Sequence, residues 1–358
     1  MLSRWQDAGL RELLAEHGLT GIAEEELATD GWSGSRFSRL RRPDGAVLIL
    51  KRTSATVDWI VRTTHDDGLR EAWASTVLGP VMPDPGELRF PYLGAAADGD
   101  GAAILMPDLS AELIAWDRPD GEASVDVATL DRVLGALARL HATAWPAAVE
   151  AAGGPAPWCP LPERLTLTAR PTQLANLATG GAGARAAERL LEGWDAFERH
   201  APRAARDLVA SLAADPSPLV AALARLPAVG LHGDLKLANV ALHADGGVSI
   251  VDWQMILVAP VAVELGWFVV SNSSALPVPF DAVAERYRVA ARRLGRPGAP
   301  DGDWAAELDL ARIVGLLLRG WRKGLDAEAG TSLASGVGGA EDLAEWAAAA
   351  VEAAGRRL

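Results

Sequence analysis

The stretch LHGDLKLANVALHADGGVSIVDW, Leu231 to Trp253, constrains the fold more than any other part of the chain. Two apolar, β-branched runs, VALHA and VSIVD, flank Asp245-Gly246-Gly247. An Asp-Gly step between such runs predicts a β-hairpin, because its turn residues accept positive φ at little cost. Closing the hairpin brings its two ends together. Asp234, Lys236 and Asn239 precede the first strand, and Asp252 ends the second. Two aspartates eighteen residues apart are thereby folded side by side.

That arrangement suits phosphoryl transfer. The reaction needs a carboxylate beside the attacking hydroxyl, to orient it and accept its proton, and oxygen ligands that hold Mg²⁺ against the phosphates. Protein kinases place the same residue types in the same order, in an H-R-D-x-x-x-x-N loop and a later D-F-G. On this reading Asp234 is the catalytic carboxylate, Asn239 and Asp252 hold the metal, and His232 braces the loop. Composition adds weight. The chain has three lysines (Lys51, Lys236, Lys323) and three asparagines (Asn176, Asn239, Asn272), yet the loop carries one of each.

HGDLKLANV followed by IVDW resembles the aminoglycoside phosphotransferase and choline kinase-like family of small-molecule kinases. LARLHATAW, Leu137 to Trp145, is similar to the helix those proteins place ahead of the catalytic loop. The resemblance is strong from Leu231 to Trp267 and weaker in the N-terminal part. Two departures stand out. Asp252-Trp253-Gln254 replaces Asp-Phe-Gly, and Lys236 stands where family members often begin His-Pro. The resemblance implies an α+β, bilobal protein-kinase-like fold. Residues 1–107 would form an ATP-binding lobe of antiparallel sheet plus helix, and 108–358 a larger, mainly helical lobe with the acceptor site. It implies ATP and Mg²⁺ as cofactors and a small-molecule hydroxyl as acceptor. The acceptor stays open among aminoglycosides or other antibiotics, amino sugars, sugars, choline-like alcohols and nucleosides. Lys236 would touch the transferred phosphate, and Glu264 would hydrogen-bond the backbone of the catalytic loop.

In the N-terminal part, strands are expected at 24–30 and 38–42. Between them, Gly31, Ser33, Gly34 and Ser35 would let backbone N–H groups approach phosphates, although a polar hairpin loop explains the same residues. Ala46 to Thr53 (AVLILKRT) is a strand entered by the turn Pro43-Asp44-Gly45. Lys51 near its end is the candidate for the α/β-phosphates. Glu71, on a helix opening at Leu69, is its expected partner, with Asp66, Asp67 and Glu87 as competitors. Residues 57–64 are read as a further helix or lid, and 90–96 and 102–106 as further strands. Ile104 to Ser110 resembles the family's adenine hinge, which places Met106, Asp108 and Leu109 beside the nucleotide. Pro107 marks the lobe boundary.

Beyond it, 130–144 reads as a helix capped by Ser124 or Thr129 and ended by Trp145-Pro146, with His141 as a packing residue. The Pro-rich stretch 147–179 reads as irregular. Residues 185–226 read as two helices with breaks at 200–202 and 215–218. Leu308 to Trp321 is a core helix whose start Asp301, Asp303 and Glu307 would cap. An Ala-rich helix closes the chain from Ala340.

The 358 residues, 49 % apolar, suffice for two cores. A lone cysteine, Cys159, excludes an intrachain disulfide and fits a reducing cytoplasm. The net charge of −13 with no basic patch disfavours nucleic acid and suits a cationic acceptor without requiring one. The N-terminus reads as an amphipathic helix with Gly18 as its stop, not a secretory signal. The longest apolar run, 256–270, is broken by Pro260 and Glu264 and is too short to span a bilayer. No long activation segment separates Asp252 from Glu264, which argues against a protein substrate. A protein kinase, a catalytically silent nucleotide-binding module and a metallohydrolase using His232, Asp234 and Asp252 remain the rival readings, the last disfavoured because no further His cluster supports a metal pair.

Overall fold

The computed structural model describes residues 5–28, 33–81, 87–114, 125–153, 156–294 and 301–358. Helix α1 (Leu10–Glu16) ends at Gly18, whose φ is +69°. Strands β1 (Glu24–Leu27), β2 (Arg36–Arg41) and β3 (Val47–Thr53) follow, then helices α2 (Trp59–Thr63) and α3 (Arg70–Val77). Next come β4 (Leu88–Arg89), β5 (Gly94–Asp98) and β6 (Gly101–Pro107). Five of these strands form one antiparallel sheet in the order β1-β2-β3-β6-β5.

The side-chain period of two divides this sheet. Leu48 and Leu50 point to one face, where they pack with Leu13, Leu19, Leu40, Ala96, Ala103 and Leu105 beneath α1. Ile49 faces the other way and joins Ala95, Ala102, Ile104 and Met106 in the main core. Lys51 shares the Ile49 face, so the alternation turns a lysine inward. The strand expected at 90–96 starts late. Pro91 has no N–H to give a ladder, so β5 starts at Gly94, and β4, ahead of it, pairs in parallel with residues 248–249.

The remainder is mainly helical: α4 (Val127–Ala142), α5 (Trp145–Gly153), α6 (Leu161–Thr166), α7 (Arg170–Thr179), α8 (Gly181–His200), α9 (Arg203–Ala214) and α10 (Ser217–Leu223). Strands β7 (Val229–Leu231), β8 (Val240–Leu242), β9 (Val248–Ile250) and β10 (Leu257–Ala259) come next. Helices α11 (Val261–Ser271), α12 (Phe280–Arg293), α13 (Asp301–Glu328) and α14 (Gly339–Arg357) complete the chain. Five sequence expectations are corrected here. The stretch 147–179 is mostly helical, because Pro162 and Pro171 lie in the first turns of α6 and α7, where a missing N–H costs nothing. Trp145-Pro146 opens α5 rather than ending α4, and the region 185–226 holds three helices. Asp126 caps α4 by accepting from Thr129 N; Ser124 lies outside the described residues. Glu307 reaches from α13 to α11, accepting from Ala262 N at 2.7 Å.

Helix α13 is the axis of the helical part, with Leu310, Ile313, Val314, Leu317 and Trp321 buried along it. Its crossing with α11 is close: a Cβ on Gly266 would stand 2.3 Å from the Ala311 carbonyl. That approach sets Trp267 of α11 against Arg319 of α13. Among the described residues no helix is long and apolar enough to cross a membrane.

Candidate active site

Strand β7 pairs with β10, Leu231 opposite Leu257, and leads into His232-Gly233-Asp234. Gly233 has φ +83°, and a Cβ there would lie 2.0 Å from the Met255 carbonyl, so the turn admits only glycine. Glu264 holds this turn: Oε1 accepts from Gly233 N at 2.8 Å and Oε2 from His232 N at 2.9 Å. From the other side Arg164 Nε donates to Gly233 O at 2.7 Å. His232 Nδ1 accepts from Asp234 N (3.3 Å), and its Nε2 donates to Val251 O (3.0 Å). Both ring nitrogens are thus spent on backbone, and burial pushes the imidazole pKa down despite the pull of Glu264 and Asp234. His232 is a neutral brace.

The loop closes through Asn239, whose Nδ2 donates to Asp234 O at 2.9 Å and whose carbonyl accepts from Val251 N at 2.9 Å. Asn272 anchors it further, accepting from Leu237 N at 2.8 Å. Hairpin β8–β9 forms around Asp245-Gly246-Gly247, with Val240 opposite Ile250. It delivers Asp252 beside the loop. Lys236 Nζ lies 3.3 Å from Asp234 Oδ2.

Asp252 adopts φ +69°, ψ +57°, a left-handed conformation that costs a non-glycine residue of order 1 kcal/mol or more. Two contacts hold it there. Its N–H donates to Tyr92 Oη at 2.9 Å, and its Oδ1 lies 2.9 Å from Lys51 Nζ. Lys51 is 4 % exposed and also meets Glu71 Oε2 at 2.5 Å. Tyr92 donates to Glu71 Oε1 at 2.6 Å, which closes a ring of four residues through the Asp252 backbone N–H. Burial alone would lower the Lys51 pKa, but Asp252 and Glu71 outweigh it and hold the ammonium well above its usual range. Burial would raise the Asp252 carboxyl, but Lys51 and Lys236 bring it down to about 2. Lys51 and Asp252 therefore form an ionised pair at neutral pH, while burial pushes the Glu71 carboxyl and the Tyr92 hydroxyl up.

The remaining candidates make other contacts. Gly31 is outside the described residues. Ser33, Gly34 and Ser35 pack against the start of α2: Ser35 Oγ donates to Asp58 Oδ2 at 3.0 Å, and a Cβ on Gly34 would meet Val57 O. Asp58 in turn caps α2. Met106 lies opposite Ile49 in the sheet and faces the main core. Asp108 N donates to Val47 O, and its carboxylate is engaged by Arg39 (3.3 Å) and Ser110 N (3.0 Å). Leu109 is half-buried just beyond.

Several site residues escape a reading of the sequence. Tyr92 bridges Glu71 and Asp252. Arg70 donates to Gln254 O at 2.8 Å, tying α3 to the segment after Asp252. His141 contacts Glu264 Oε2 (3.2 Å) and Tyr287 Oη (2.9 Å). Rarity was the available signal, since the chain has only two tyrosines and three asparagines. Among the described residues no group of three or more His, Cys, Asp or Glu side chains could ligate a metal by itself.

A family model described as the phosphotransferase enzyme family matches residues 85–308. No curated protein matches the chain. Among solved structures, the chain is similar to a macrolide 2′-phosphotransferase from Brachybacterium faecium, at 21 % identity and TM-score 0.46, covering 96 % of both chains. It is also similar to a choline/ethanolamine kinase family protein from Mesorhizobium loti, at 15 % identity and TM-score 0.46, over 96 % of this chain and 92 % of that one. An ethanolamine kinase from Plasmodium vivax matches at 10 % identity and TM-score 0.46, over 96 % and 85 %.

Proposed function

Since the chain belongs to the phosphotransferase enzyme family, we propose that it moves the γ-phosphate of ATP to a hydroxyl of a small molecule. The observation that carries this reading is Lys51, buried and shared between Glu71 and Asp252. A fixed ammonium beside an ionised aspartate is what the α/β-phosphates and their metal require. Residues 1–107 then bind the nucleotide, and residues 108–358 supply the catalytic loop and acceptor site.

The residues fit Mg²⁺. That ion is bound through one or two carboxylates plus waters and phosphate oxygens. A site with one carboxylate (Asp252) and one amide (Asn239) suits a metal that arrives with the nucleotide. When bound, it neutralises charge on the β- and γ-oxygens. Lys51 fixes the α/β-phosphates, with Glu71 and Tyr92 setting its position. Asp234 orients the acceptor hydroxyl and takes its proton. Lys236, beside Asp234, meets the transferred phosphoryl group. Glu264, His232 and Arg164 hold the backbone of the loop, so Asp234 is positioned before substrate arrives. The single buried thiol, Cys159, suits a reducing compartment.

The test is ADP release from Mg-ATP across a panel of hydroxyl compounds, with Asp234→Asn as the blank. General-base catalysis is worth roughly 10²–10⁴ in rate, and turnover should fall by that factor. Near-full activity of Asp234→Asn with a true acceptor would remove Asp234 from its role.

A further inference from the structure

Next to the catalytic loop lie two arginines that the chemistry above leaves unused as charges. Arg164, on α6, is 1 % exposed. Its Nε is spent on Gly233 O, one residue before Asp234. Both terminal nitrogens are buried and have no hydrogen-bond partner among the described residues. Its guanidinium lies 4.3 Å from the ring centroid of Trp267. Arg319, on α13, lies 5.0 Å from the same indole and 4.7 Å from that of Trp321, and its buried Nε is likewise without a partner among the described residues. Asp234 is among the charges that act on both guanidinium groups.

Burying a guanidinium is costly unless its donors are met. Stacking on an indole offsets part of that cost, and one bond to a carbonyl leaves the other donors unmet. The carboxylates whose charge acts on the two guanidinium groups are already engaged. Glu264 holds two backbone amides, and Asp326 pairs with Arg322 at 3.3 Å. Asp234 itself faces Lys236. The surroundings show the strain: burial, then the charge of Arg322, pushes the Arg319 pKa down to about 9.

We propose that the phosphoryl acceptor carries, besides its reacting hydroxyl, an anionic group, a carboxylate or a phosphate, which Arg164 and Arg319 bind beside Asp234. The planar guanidinium fork matches the paired oxygens of either group. An anion in this place satisfies the unspent donors of Arg164 and neutralises two like charges that share one indole. A cationic acceptor would meet those charges head-on and be repelled. The inference rests on the phosphotransferase reading and narrows its substrate class.

The test separates binding from turnover. The full chain with saturating Mg-ADP is titrated calorimetrically with glycerol, glycerate, glycerol 3-phosphate, choline and inorganic phosphate. The same hydroxyl compounds are then assayed for ADP release from Mg-ATP. Glycerate or glycerol 3-phosphate should bind where glycerol and choline do not, and which of the two binds tells carboxylate from phosphate. Arg319→Gln should weaken that binding about tenfold or more, with Mg-ADP affinity unchanged, while Arg319→Lys should restore part of it. Arg319 is chosen because removing Arg164 also removes its bond to the loop. Binding of choline or glycerol that Arg319→Gln leaves unaltered would overturn the proposal. So would a failure of every anion, inorganic phosphate included, to bind at millimolar concentration. Anion binding sensitive to Arg319 but without ADP release on any hydroxyl compound would overturn the kinase reading and leave the anion site standing.

Discussion

Replacing Glu264 by Gln tests whether one buried carboxylate holds the catalytic loop. Glu264 is wholly buried and accepts from Gly233 N at 2.8 Å and from His232 N at 2.9 Å. Burial alone would raise its pKa, but the contact with His141, aided by His232 and the Gly233 amide, holds it below the ordinary range. A glutamine keeps one acceptor oxygen and turns an NH₂ toward the other backbone N–H. A hydrogen bond to a charged group contributes about 1.5–3 kcal/mol, and an orphaned buried donor costs about as much as a lost bond. Glu264→Gln should therefore destabilise by about 2–3 kcal/mol, and Glu264→Ala, which orphans both amides, by roughly twice that. Urea unfolding followed by tryptophan emission measures both, since the chain carries 13 tryptophans, and an unchanged m-value would assign the shift to stability. The pH dependence has a definite sign. The folded-state pKa is depressed, so the ionised group stabilises above its unfolded value near 4.5, and the contribution is lost as pH falls through the lower folded value. The gap between wild type and Glu264→Gln should narrow below that range. Turnover should fall on the order of 10², the cost of a displacement of about 1 Å. A Glu264→Gln protein within about 0.5 kcal/mol of wild type would refute the reasoning, because that is the effect of an ordinary surface substitution.

Tyr92→Phe orphans Asp252 N and Glu71 Oε1; it should destabilise by about 1–3 kcal/mol in urea and raise KM for Mg-ATP. Asp126→Ala removes the cap of α4, which accepts from Thr129 N at 2.7 Å; the cost should be about 1 kcal/mol, read as a lower Tm. Cys159 is 3 % exposed and burial pushes its thiol up to about 11; at pH 8 the native protein should resist thiol reagents and label only as fast as it unfolds. Rapid labelling of the folded chain would contradict that burial.

The parts of the site that could be read from sequence are those fixed by local chemistry. The Asp-Gly-Gly turn dictates the hairpin whatever surrounds it, and the hairpin alone carries Asp252 back to Asn239. Strand alternation turns Lys51 to the core face once Leu48 and Leu50 are taken as a pair. Other parts depend on contacts with no sequence period. Tyr92 reaches Asp252 across 160 positions. Arg164 stands in a chain so rich in arginine that one more carries no signal. The Pro-rich stretch 147–179 misleads for a different reason: proline breaks a helix interior but is neutral in its first turn, and composition does not distinguish the two. Pro91 acts in the opposite sense, delaying to Gly94 a strand that an apolar pattern alone would run from 90 to 96.

The departure at Trp253-Gln254 follows from the strain at Asp252. A left-handed aspartate persists only if both sides of it are held. Before it, the hairpin and the Tyr92 hydroxyl fix its backbone. After it, Trp253 is buried, donates from Nε1 to Ile250 O at 2.6 Å, and packs edge-on against Phe90, Trp145 and His232. Gln254 is buried next to it, and its carbonyl takes the Arg70 guanidinium from α3. The residue after Arg70 is Glu71. The segment carrying Asp252 and the helix carrying Glu71 are thus joined three times, by Arg70 to Gln254 O, by Lys51 between the two carboxylates and by Tyr92 between Glu71 and the Asp252 N–H. A glycine after the aromatic residue would keep the carbonyl but not the side chain that fills this space. It would also restore the backbone freedom that the strained aspartate must be denied. In this chain, therefore, the residues after Asp252 act as an anchor that keeps the carboxylate aimed at Lys51.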